Sequence, residues 1–116
     1  TFVLGGAPQG IAVSPDGSTL YVANESGDLD VVDIASGNVT APLNFGAGAF
    51  GLALSPDAVQ LYATLWTVGS VAVVDRATLT IVKTISTGGI PRRVAFSPDG
   101  LTAAVASEGG SVVFIR

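Results

Sequence analysis

The chain has 116 residues with a net charge of −4, and 48% of them are apolar against 12% charged. That length sets a prior of one domain, and the balance offers neither a basic surface for nucleic-acid phosphates nor the composition of a disordered chain. Without a single cysteine or histidine, the chain has no disulfides, no thiolate or imidazole metal ligands and no Ser–His–Asp triad. No signal peptide and no apolar run long enough for a membrane span is present, and a first residue other than Met reads as a cut or processed segment.

In chain order, Thr1–Leu4 comes first, followed by the glycine pair Gly5–Gly6. These align with Thr84–Thr87 and Gly88–Gly89, so Thr1–Leu4 reads as an outer strand. Then come a short apolar stretch (10–14), a Ser-Pro-Asp-Gly turn, "TLYVAN" (19–24), "GDLDVVD" ending at Asp33, and a polar turn before a fourth stretch (38–45). All are short, rich in Val, Ile, Leu, Tyr and Thr, and bounded by Gly, Pro, Asp or Asn, which predicts strands. No window sustains a helical period without Gly or Pro inside it.

The same order returns twice. The turn serines Ser14, Ser55 and Ser97 are 41 and 42 residues apart, and "GSVAVVD" and "GSVVFIR" echo the third strand. A period of roughly 40–45 residues made of short strands is the signature of propeller blades. The predicted fold is therefore all-β, with three four-stranded antiparallel blades over 5–45, 46–87 and 88–116, the last lacking its outer strand. Small residues on each first strand (Ala12, Ala53, Ala95) suit the crowded centre of a propeller.

Local residue choices have local reasons. In Ser-Pro-Asp-Gly, Pro presets φ at the second turn position and Gly accepts positive φ, so these aspartates read as turn formers. Ala58 stands where the other copies have Gly17 and Gly100, which predicts a strained or altered second turn. Asp33 and Asp75 end their strands in the manner of residues that accept hydrogen bonds from amides two positions on; Arg116 takes that place in the third unit. "NESGDLD" (24–30) is rich in oxygen ligands but lacks calcium-loop spacing, and reads as a solvated hairpin.

Function is read from the loops that vary on this constant frame. The fourth-to-first and second-to-third strand connections share one face, near the central channel. There, Gln9, Phe50 and Arg92 occupy equivalent positions, with Asn24, Glu25, Trp66 and Glu108 in the second set. These seven are the candidate ligand-binding residues. Trp66 is a candidate stacking group and Arg92 a candidate anion binder or ion-pair partner of Glu25 or Glu108. No catalytic residue, metal site or cofactor is assigned, and the chain reads as a scaffold or binding module rather than an enzyme. The rival reading is a hydrolase using a carboxylate-bound divalent metal and Arg92, which requires Glu25, Glu108 and Asp28 to converge.

The pattern "SPDG…LYVAN…G…VVD" resembles the YVTN family of β-propeller repeats, with Tyr21–Asn24 close to the name motif, Tyr62–Leu65 looser and Ala104–Ser107 degenerate. The resemblance spans essentially the whole chain. It implies a propeller, and an extracytoplasmic or cell-surface location. Related propellers include lactonase-type enzymes and electron-transfer domains, an analogy of fold rather than of site.

Three blades do not close a circle, since propellers take roughly four to eight. The chain is therefore expected to associate with itself, a homodimer giving six blades and a homotrimer nine, with Phe2, Val3 and Leu4 completing the neighbour's last blade beside Val112 and Phe114. No nucleic-acid partner is expected; a small molecule or protein at the channel face is.

Overall fold

In the computed structural model, which describes residues 1–116, eleven strands form three antiparallel sheets. The first blade comprises β1 (Pro8–Val13), β2 (Thr19–Asn24), β3 (Asp28–Asp33) and β4 (Val39–Asn44). The second comprises β5 (Ala49–Leu54), β6 (Gln60–Leu65), β7 (Ser70–Asp75) and β8 (Thr80–Ser86). The third has β9 (Ile90–Phe96), β10 (Ala103–Glu108) and β11 (Ser111–Ile115). Each sheet is a simple meander in chain order, as consecutive strands joined by tight turns require. The predicted all-β blades are present, with strand starts shifted by up to two residues.

Thr1–Gly5 carries no strand in the single chain. Strand structure is made by pairing, and no sheet edge lies alongside this segment here. Its Phe2 ring lies against Gly37, where a Cβ would come within 3.3 Å of the ring.

The turns follow their residues. In each Ser-Pro-Asp turn the serine hydroxyl donates to the aspartate carboxylate at 2.6 Å. The carboxylate in turn accepts the amide two residues on, from Ser18, Val59 or Leu101, at 3.0 Å. These bonds favour the charged carboxylate. The Ser14 hydroxyl, then the Ser18 amide and hydroxyl, hold Asp16 at about 2. Ser55 and Val59 lower Asp57, and Ser97 and Leu101 lower Asp99. Ala58 adopts φ 62° where Gly17 and Gly100 have 74°, so the expected strain is real. Asp33 and Asp75 accept the amides of Ala35 and Ala77 at 3.1 and 3.0 Å, as their positions predict.

Blades pack face to face, with β1, β5 and β9 adjacent along the inner side. The middle blade is covered on both faces, and Val71, Ala72, Val73 and Val74 of β7 are 0% exposed. Burying each such side chain stabilises the fold by roughly 1.5–3 kcal/mol. The core cluster runs from Tyr21, Ala23 and Leu29 of the first blade to Leu52, Leu61 and Val74 of the second. Gly10 and Gly51 let inner strands touch backbone to backbone. A Cβ on Gly10 would lie 2.6 Å from the Phe50 carbonyl, and one on Gly51 would overlap the Arg92 carbonyl. Buried Thr64 clamps the second of these joints, accepting the Gly51 amide at 2.7 Å and donating to the Arg92 carbonyl at 2.9 Å.

Candidate functional site at the channel face

Each inner strand carries an irregularity at its start. Gln9 is skipped in the β1–β2 pairing, Phe50 and Gly51 together oppose Thr64, and Arg92 is skipped between Pro91 and Arg93. An extra residue in one strand of a pair re-aims a side chain. The three sequence-predicted positions are thus presented by one repeated backbone device. The sequence carried no signal for it beyond their alignment.

Each blade then joins its first-strand residue to one just after the second strand. In the first, Gln9 Nε2 donates to Glu25 Oε2 at 2.6 Å. In the third, Arg92 donates through Nε and Nη2 to Glu108 Oε2 at 2.7 and 2.6 Å. In the second, both positions are aromatic, Phe50 and Trp66, and the Arg92 guanidinium of the third blade lies 4.7 Å from each ring centroid. Arg93 approaches the Phe50 ring as well, at 4.9 Å. A cation over an aromatic face is attracted by the ring quadrupole. Arg92 is therefore held by two rings of one blade and a carboxylate of its own.

Six of the seven predicted site residues thus lie in blade-specific pairs on one face. Asn24 is a correction. It is 2% exposed; its Oδ1 accepts the Ala7 and Ser26 amides and its Nδ2 donates to the Gly5 carbonyl and Asp30. Every polar atom of the side chain is spent on tying the loop, which leaves none for a ligand. Trp66 is half-buried rather than exposed, with its Nε1 enclosed and unpaired near Gly48. Glu25, Glu108 and Asp28 do not converge. Glu25 and Glu108 are held within their own blades, and Asp28 bonds Asn44 at 2.9 Å. No group of three or more Asp and Glu side chains is placed to hold a metal ion.

The closure residues Val112 and Phe114 are exposed, 57% and 59%, on the outer flank of the third blade. They border a shallow apolar depression of about 290 Å³ lined by Arg93, Ala95, Ala104 and Ala106. The counterparts of these residues in the first two blades face another blade.

The chain is 33% identical to a chain of the solved structure of Kuenenia stuttgartiensis hydrazine synthase, with a TM-score of 0.88 over 99% of its own length. It spans 34%, about a third, of that chain. No curated protein matches it. The cytochrome D1 heme domain family matches residues 7–114, and it is a β-propeller family. The propeller implied by the YVTN resemblance stands at this coarser level. The expectation that the chain is not an enzyme is corrected, because the family is a heme domain and the matched structure is a synthase. The absence of His and Cys excludes particular catalytic devices; it does not exclude an enzyme whose chemistry rests on a cofactor. The chain belongs to the cytochrome D1 heme domain family.

Proposed function

We propose that these three blades are a segment of the propeller wall of a heme enzyme, and that they work in a ring closed by further blades. The enzyme class rests on the similarity to hydrazine synthase and on the family. In the 116-residue chain by itself, a second copy supplies the missing blades, with Phe2, Val3 and Leu4 pairing along the free edge of the partner's β11.

The residues of this segment do not fit the role of axial ligand to heme. Protein ligands to heme iron are His, Cys, Met or Tyr. The chain has no His, Cys or Met. Its Tyr21 is packed into the core, and Tyr62 meets Phe96 edge-on between blades at 4.6 Å. What the segment contributes is wall and rim. Gln9–Glu25 and Arg92–Glu108 are polar pairs at the channel face, and Phe50 and Trp66 form the apolar surface between them.

The observation that carries the association is the uncovered flank of the third blade. Val112 and Phe114 stand exposed there, whereas Leu29 and Val71, the equivalents of Val112, are buried. An apolar sheet face with a free edge invites a partner. Sedimentation at micromolar concentration is expected to give the mass of a dimer. Val112→Asp with Phe114→Asp is expected to reduce it to a monomer, and deletion of Thr1–Leu4 to weaken it. A monomer for the unmodified chain at the highest soluble concentration would refute self-closure.

A further inference from the structure

On the opposite face of the blades, where the Ser-Pro-Asp turns lie, the two joints differ in one respect. At the first joint, Arg76 reaches from the end of β7 across the crevice. Its Nε donates to the Ala58 carbonyl at 2.5 Å, and its Nη1 to the Tyr21 hydroxyl at 3.4 Å. Its amide donates to the Val59 carbonyl at 3.0 Å. The guanidinium plugs the space between the two turns.

At the second joint the same space is a cavity of about 230 Å³, lined by Tyr62, Phe96, Asp57, Asp99, Gly100 and Leu101. Tyr62 is the repeat equivalent of Tyr21, and Gly100 of Ala58. Both acceptors that hold the Arg76 head group are therefore duplicated here, with no arginine between them. The walls add the edge-to-face Tyr62–Phe96 pair and two carboxylates whose first oxygens are already engaged by Ser55 and Ser97, leaving the second oxygens available.

We propose that the crevice between the second and third blades is a guanidinium site. A planar cation with a fork of donors matches a phenol oxygen and a turn carbonyl at fixed spacing, and flanking carboxylates supply charge that a neutral ligand would not use. The fold itself demonstrates the fit one joint away. The occupant is a guanidino group, carried either by a free small molecule or by an arginine side chain of polypeptide adjoining this blade. This site is independent of the channel-face reading, since it lies on the other side of the blades and needs no ring closure.

Ethylguanidinium is the probe, titrated into the 116-residue chain at low millimolar concentration and followed by amide and aromatic NMR. Saturable shifts are expected at Gly100, Leu101 and the Tyr62 ring, with the Ala58 and Val59 amides unmoved. Ethylammonium, which lacks the fork, is expected to bind several-fold more weakly, and Asp99→Asn to weaken ethylguanidinium by a similar factor. Arg76→Ala opens the first crevice and is expected to create a second site, with the lost melting temperature partly recovered by the probe. A chain with one arginine added after Arg116, the place that Arg76 holds in the second blade, separates the two sources. If it abolishes probe binding, a polypeptide arginine is the natural occupant; if the probe still binds, a free guanidino compound is. Absence of saturable shifts at Gly100 and Leu101 in the unmodified chain, or equal affinity in Asp99→Asn, would overturn the proposal.

Discussion

At the joint between the first and second blades, Tyr21 is 4% exposed and Arg76 closes the turn face above it. At the joint between the second and third, Tyr62 meets Phe96 edge-on and the turn face stays open. Beyond the third blade the same two positions are filled in the reverse sense. Ala104 stands where the tyrosines were, leaving a depression, and Arg93 stands where Gly10 and Gly51 allowed backbone contact. The lesson is that a repeat preserves its turns and strands while the surfaces between repeats diverge. Blade geometry comes from residues within one unit, but a joint needs two units to match.

Truncating the tyrosines breaks that comparison most sharply. Tyr21→Ala removes a large buried ring and is expected to destabilise the fold by about 3–5 kcal/mol, by analogy with buried aromatic deletions. Tyr62→Ala, at the open joint, is expected to cost clearly less. Chemical denaturation of both variants decides, and equal losses would mean that the two joints are equivalent after all.

The glycine positions come next. Gly51→Ala forces a methyl group onto the Arg92 carbonyl and is expected to cost about 1–3 kcal/mol, the usual range for overpacking. Arg93→Gly, at the outer flank, is expected to leave the folding of the single chain nearly unchanged and to strengthen association, because it restores the close inner-strand approach of the other joints. Denaturation and sedimentation read the two effects separately.

A smaller change sharpens the comparison of the turns. Ala58→Gly relieves a left-handed alanine, and an expected gain of about 1 kcal/mol follows from the penalty that a Cβ meets in that conformation. Gly100→Ala should lose a similar amount, so that the second and third turns exchange character. Thermal melts of the pair provide the check.

The smallest effect is in acid. Asp16 is depressed from the ordinary 3.8 to about 2, and Asp57 and Asp99 are lowered in the same way. The folded state therefore binds fewer protons than the unfolded chain over this range. Stabilisation from these turns is complete above the ordinary carboxylate value and fades as pH falls through the depressed ones. All three groups are at the surface, so the slope is shallow. Asp16→Asn should flatten the melting temperature between pH 3.8 and about 2; an unchanged slope would show that the serine bonds do not persist in solution.

Much of this fold was legible because its determinants are local. Ser-Pro-Asp names a turn, alternation names strands, and the spacing of three serines names blades. The aligned loop residues Gln9, Phe50 and Arg92 were legible for the same reason, since equivalent positions in a repeat share a face. Asn24 was misread as a ligand group because its four partners come from residues as far away as Gly5 and Asp30. Arg76 and the crevice between the second and third blades had no signal at all. An arginine beside a polar turn is ordinary until its neighbour across the joint is known.

By itself the sequence determined the turns, the strands, their repetition and the all-β class, since each depends on backbone preferences and on side chains a few residues apart. Only tertiary packing decided that Arg92 would lie between two aromatic rings, that Gly10 and Gly51 would be contact points, and that one crevice would be plugged and its twin left open. Those outcomes depend on how closely units some forty residues apart approach one another, a distance set by the fit of whole faces rather than by any one stretch of chain.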